Sequence, residues 1–171
     1  MKRLILVFIV SLTFFNANAT HIMGGEITWQ CIKDPLDPDL GKYIFTMKLY
    51  RDCEGTTLPT GSEFVNMWGA GAPVTSITCD FVSNTDISPV GNSINSGNPC
   101  LVCQPGGSNG DVGAVEEYVY QSQPISLVGT PPASGWHFTW ASCCRNAAIV
   151  NLVSPDSQGF TLRAAMYPYT D

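Results

Sequence analysis

Cys143 and Cys144 stand side by side ahead of Arg145-Asn146, in a chain with seven cysteines; the others are Cys31, Cys53, Cys79, Cys100 and Cys103. Thiols in such numbers can form disulfides, ligate a soft metal or exchange with other thiols. Neighbouring residues of a strand face opposite sides. A strand at this position would therefore send the two sulfurs to different partners, whereas a direct bond between them would need a strained backbone. Cys100-Leu-Val-Cys103 has the spacing of half a zinc knuckle or of a redox pair. No second knuckle accompanies it and no βαβ pattern surrounds it, so structural bridging is the preferred reading. All seven are candidate disulfide cysteines. Because seven is odd, at least one stays free, binds something or pairs outside the chain.

The remaining polar residues form no recognisable reaction centre. Asp34, Asp37 and Asp39 could offer oxygen ligands to calcium, but the spacing lacks the glycine and closing glutamate of an EF-hand loop. A solvated acidic hairpin tip is the preferred reading, and no cofactor is expected. Gly106 to Asp111 is a weaker cation candidate and reads as a loop. The two histidines, His21 and His137, have no G-x-S-x-G motif near them. Glu116 and Glu117 are adjacent and diverge in a strand, unlike the paired carboxylates of a glycosidase. Catalytic and metal-binding residues are thus both read as none. Arg51 and Arg145 each flank a cysteine; an ion pair with Asp52, Glu116 or Glu117 is preferred to anion binding. Of the four tryptophans, Trp29, Trp136 and Trp140 read as core. Trp68, beside Gly69-Ala-Gly-Ala, is the candidate for an exposed ring and a ligand contact.

The chain opens like an exported protein. Lys2 and Arg3 precede an apolar run from Leu4 to Phe15, followed by the small-residue pattern Asn16-Ala-Asn-Ala19. Residues 1–19 are read as a signal peptide and Thr20 as the mature start. No later segment is apolar for long enough to cross a bilayer as a helix. Loss of Lys2 and Arg3 takes the formal net charge from −6 to −8, which disfavours nucleic acid as a partner. Only 13% of residues are charged, about half the usual quarter, so Ser, Thr, Asn and Gly must supply polar surface. Residues 20–171 suit a single domain with its own core.

The elements that must position these groups are strands. Gly24 to Lys33 carries Ile27, Trp29 and Cys31 at every second position, and Lys42 to Arg51 carries Tyr43, Phe45, Met47 and Leu49. Period two marks a strand with one buried face. The turn-rich stretch from Asp34 to Gly41 makes the pair a long-looped hairpin. Further strands are expected at Phe64 to Trp68, Val74 to Val82, Val115 to Gln121, Ile125 to Val128, Trp136 to Cys143, Ala147 to Val153 and Gly159 to Tyr167. Asn84 to Gly113 reads as a long loop. In the next-to-last and last of the strong strands, Trp136, Phe138 and Trp140 alternate with His137, Thr139 and Ala141, and Phe160, Leu162, Ala164 and Met166 share one face. No helical period emerges. Many short strands separated by turns predict an all-β, immunoglobulin-like antiparallel sandwich with disulfides.

Several stretches taken in order resemble a known family. They are Thr20-His-Ile-Met-Gly-Gly-Glu-Ile-Thr-Trp29, Lys48-Leu-Tyr-Arg-Asp-Cys53, Asn98-Pro-Cys100, Val115-Glu-Glu-Tyr-Val-Tyr120 and Trp140-Ala-Ser-Cys-Cys-Arg-Asn-Ala-Ala-Ile149. The series is similar to the N-terminal region of large secreted surface proteins of Bacteroidetes, gliding-motility-associated or adhesin-like, often with PKD or immunoglobulin-like repeats downstream. The resemblance implies export, an extracellular β-domain at the cell surface, downstream domains in the same protein, and no catalytic residues. The stretch between Cys103 and Val115 is longer and richer in glycine than that pattern, and family members are much longer than this chain. We therefore expect an N-terminal fragment of a longer, non-enzymatic surface protein whose partners are other surface proteins or glycans. A carbohydrate-binding module is the first alternative reading and a secreted enzyme the second.

Overall fold

The computed structural model describes residues 22–53, 55–88, 114–143, 145 and 149–169. The expected signal peptide, His21, the loop at Gly106 to Asp111, Cys100, Cys103 and Cys144 lie outside the described residues. Seven strands follow one another: β1 (Ile22–Cys31), β2 (Tyr43–Asp52), β3 (Ser62–Trp68), β4 (Ser76–Asp86), β5 (Val115–Ser122), β6 (Trp136–Cys143) and β7 (Gly159–Met166). All pair antiparallel, in the order β1-β2-β5-β4-β3-β6-β7.

Alternation decides which face turns inward. In β2, Phe45, Met47, Leu49 and Arg51 are buried while the residues between them are partly exposed. In β6 the inward set is Trp136, Phe138 and Trp140. Val65, Met67, Ile77, Cys79, Tyr118, Tyr120 and Leu162 complete the filling. Burial of each large apolar side chain contributes about 1.5–3 kcal/mol. The polar ends of the inward aromatics are satisfied. Tyr120 donates to the Pro59 carbonyl at 2.7 Å, Trp140 to Glu63 at 2.9 Å and Trp136 to the Ala70 carbonyl at 3.3 Å.

The expected sandwich of two stacked sheets meets a single continuous sheet. β3 pairs with both β4 and β6, and so joins halves that a sandwich would keep apart. The sheet then curls until β1 and β7, its two ends, approach each other and nearly close a barrel. Gly25 sits at this seam. A Cβ there would lie 2.5 Å from the Lys48 carbonyl oxygen and 2.8 Å from Leu162 Cδ1.

Other boundaries moved for local reasons. β4 runs on to Asp86, past the expected end at Val82, because a bulge between Phe81 and Ser83 lets Asn84, Thr85 and Asp86 keep their pairing with β5. From the expected short strand at Ile125, only Ile125 itself bridges, to Tyr43. No strand forms over Val150–Val153: these residues turn, and Val150 and Val153 are among the most exposed apolar side chains. Their apolar run suggested a strand, but they pair with no strand of the sheet.

Gly25→Ala should destabilise the domain by about 1–3 kcal/mol through overpacking. Gly24→Ala, whose Cβ would meet nothing nearer than 3.7 Å, should change stability by less than about 0.5 kcal/mol. Urea titration of both variants reads the difference.

Candidate functional site

The outer face of β3, β6 and β7 gathers the most chemically varied exposed side chains. Pairing places Trp68 opposite His137 and Asn66 opposite Thr139. It also places Thr139 opposite Arg163 and His137 opposite Ala165. Two rows of outward residues therefore lie side by side across three strands. Inward Met67, Phe138 and Leu162 hold them from below.

The side chains then cross between the rows. Trp68 is 60% exposed, yet its indole is fixed because Nε1 donates to Thr139 Oγ1 at 2.8 Å. An Arg163 amino group lies 3.1 and 3.3 Å from the two ring nitrogens of His137. Phe64, 56% exposed, stands two residues from Asn66 on the same face. The result is a platform with an aromatic ring, a guanidinium, an imidazole, a hydroxyl and an amide. Such a surface can stack against a ring and hydrogen-bond its substituents. Among the described residues, no carboxylate pairs with Arg163.

Trp68 is thus exposed, as its glycine-rich neighbourhood predicted. Trp136 and Trp140 are buried and Trp29 is half-buried against the core, as their alternation predicted. The contacts of Trp68 with Thr139 and of Arg163 with His137 were missed. The only sequence signal was that His137 and Thr139 alternate with buried residues; which strands flank β6 is a non-local fact.

Other predicted residues serve structure. Arg51 is almost fully buried, and its Nε and one amino nitrogen donate to Glu116 at 3.1 and 2.6 Å. Its other amino nitrogen reaches the carbonyls of Cys53 and Gly55. Of the three acids expected to pair with Arg51, Glu116 is the one that does so here; Glu117 pairs instead with Lys48 at 3.1 Å. The two adjacent glutamates therefore diverge, as a strand requires. Arg145 donates from Nε to the Gly159 carbonyl at 2.9 Å and covers the Phe160 ring. Asp34 and Asp37 accept from the amides of Leu36 and Asp39, and Asp39 pairs with Lys42 at 2.6 Å. Among the described residues, no three His, Cys, Asp or Glu side chains gather as a metal site.

Two expected bridge cysteines are corrected. Cys31 and Cys79 carry free thiols. Register explains their separation from Cys53 and Cys143. Cys31 faces Tyr43 and Cys79 faces Ser122, at one end of the sheet, while Cys53 follows β2 and Cys143 faces Gly159 at the other. Cys79 points into the core, and burial pushes its thiol up to about 12, with Asp80 adding to the shift. Cys31 lines a cavity of about 660 Å³ with Trp29, Lys33, Asp34 and Tyr43. A smaller hollow of about 330 Å³ opens at the seam, between Ile27 and Trp29 on β1 and Ala164 on β7. No signal in the sequence pointed to either.

No family model, curated protein or solved structure matches this chain.

Burial also pushes the phenols of Tyr118 and Tyr120 up, with Glu116 and Glu63 respectively adding to the effect. These acids and Cys79 hold their protons in the native state where the unfolded chain has released them. Stability from this source is complete below the ordinary thiol value of 9.0 and is lost as pH rises toward about 12. Denaturation midpoints measured across that range should fall, and Cys79→Ala should make the fall shallower. In the native protein, iodoacetamide should modify Cys31 long before Cys79, whose labelling should await unfolding; mass spectrometry reads both.

Proposed function

We propose that this chain is a non-enzymatic, exported surface module, adhesin-like in role, which meets other molecules through the outer face of β3, β6 and β7. The observation that carries this reading is Trp68: a large indole held in solvent by Thr139 rather than packed in the core. An exposed aromatic anchored by a hydrogen bond is a feature of recognition surfaces more than of folding cores. The single histidine of this face meets Arg163, and the adjacent glutamates are each engaged by a cation. That arrangement supports binding rather than acid–base chemistry.

The architecture we infer is immunoglobulin-like. The order β1-β2-β5-β4 followed by β3-β6-β7 is that of the two sheets of a seven-stranded constant-type domain, here joined by the β3–β4 hairpin. In this reading the loops after β2, β4 and β6 leave from one end, and Cys53, Cys100, Cys103, Cys143 and Cys144 all fall in or beside those three connections. Cys53 and Cys143 are in the disulfide-bonded state, which supports a bridged framework at that end. An oxidised framework in turn fits an exported protein. Other surface proteins or glycans are the partners this surface suits.

A carbohydrate-binding module is the second reading, and the same residue favours it. An indole face open to solvent, with hydroxyl and amide groups beside it, suits the apolar face and hydroxyl rim of a pyranose ring.

On a glycan array, Trp68→Ala should abolish any binding shown by the wild-type protein while leaving the thermal midpoint within a few degrees. Retained binding would move the contact elsewhere. Peptide mapping without reduction should find Cys53 and Cys143 cross-linked, with neither joined to Cys31 or Cys79.

A further inference from the structure

We propose that the platform takes an acidic sugar, a pyranose that carries a carboxylate, such as a hexuronate unit of a polysaccharide. This rests on the carbohydrate-binding reading above and narrows its ligand class. Trp68 would stack on the ring, and Arg163 would take the carboxylate.

The charge pattern carries the argument. The chain has 14 acidic and 8 basic residues. Its three ion pairs among the described residues use Lys42, Lys48 and Arg51. Arg163 is exposed, lies across β6 from the exposed indole and pairs with no carboxylate among the described residues. A guanidinium left without an acid in an acidic protein keeps its fork free for two parallel hydrogen bonds to an incoming carboxylate. Its contact with His137 sets its direction while its remaining N–H groups stay available.

The neighbouring groups fit a sugar better than a peptide. Thr139 Oγ1 accepts from Trp68, which leaves its own O–H to donate to a ligand. Asn66, opposite Thr139, brings a donor and an acceptor to the same row. The centre of the patch is β6, whose backbone is paired on both sides by β3 and β7. An extended peptide that docks by adding a strand needs an open edge, and β6, at the centre of this face, has none. Recognition here runs through side chains alone, around one stacking ring.

Calorimetric titration of the full chain tests this with three probes: an oligogalacturonate, its methyl-esterified neutral counterpart, and poly-glutamate. The expected result is tighter binding of the oligogalacturonate than of the ester. Arg163→Gln should weaken the acidic sugar about five- to tenfold and leave the ester unchanged; Trp68→Ala should remove both. Equal affinity for acid and ester, lost in Trp68→Ala, would overturn the acidic-sugar assignment and leave the carbohydrate reading standing. No binding of either sugar would overturn both. Poly-glutamate binding as tightly as the sugar, weakened by Arg163→Gln but not by Trp68→Ala, would make the patch a carboxylate contact without sugar recognition, and would also overturn the proposal. Arg163 and Trp68 are both exposed, so circular dichroism should show the variants folded.

Discussion

Contact between the aromatic side chains on the inner face makes this sheet a shell. Phe45 of β2 and Phe138 of β6 lie 4.8 Å apart, centroid to centroid, and Trp29 of β1 packs on both at 6.0 and 5.4 Å. In the strand order these residues stand far apart: three strands separate β2 from β6. A flat seven-stranded sheet would leave them in water on one broad face. Curling buries them against one another. Tilted ring pairs of this kind contribute about 0.5–1.5 kcal/mol beyond their area, and the buried area itself contributes more. The hydrogen bonds of the ladders would be nearly as good in a flatter sheet. The curl is therefore a consequence of side-chain burial, and everything on the outside inherits its position from it.

Closure has two costs, and the residues that meet them can be identified. At the seam, β1 must come close to β7, and Gly25 gives the space that any side chain would take from Leu162. At the end beside the β2–β3 connection, the inner face of β2 finishes on Arg51, a charge where apolar packing stops. A lone buried guanidinium would be very costly. Glu116 neutralises it, and the carbonyls of Cys53 and Gly55 accept from its other amino nitrogen. The cation thereby holds the first residues of the loop after β2 to the start of β5. Such a pair is weak evidence for stability in itself; its effect is to fix where the loop leaves the sheet.

Much of the fold was legible because period two is local. Ile27 and Trp29, Phe45 to Leu49, Trp136 to Trp140, and Leu162 with Ala164 announced four strands and their inward faces. Trp68 stood out through its glycine-rich neighbours. The failures lie where a fact is not local. Ile149 to Val153 looks like a strand to any rule based on composition, yet a strand needs a partner edge. Cys31 and Cys79 looked like bridge cysteines, but register put them at the end of the sheet away from Cys53 and Cys143. The meeting of Arg163 with His137 needs the β6–β7 register, which no spacing within either strand contains.

The distribution of rigidity favours the outer face over the cavity by the first hairpin as the surface to which function is assigned. That cavity, with Cys31 on its wall, borders Lys33 and Asp34 at the start of a turn-rich loop, so its shape depends on a segment that carries few buried side chains. The platform around Trp68 has no such dependence. Each of its residues alternates with an inward one that is buried: Asn66 and Trp68 with Met67, His137 and Thr139 with Phe138, and Arg163 with Leu162. Moving any of the outer groups by an ångström would require moving the core residue beside it. Binding groups held in this way lose little freedom when a ligand arrives, and preorganisation of that kind converts a few contacts into affinity. The aromatic packing that closes the shell therefore also aligns the surface that stands outside it.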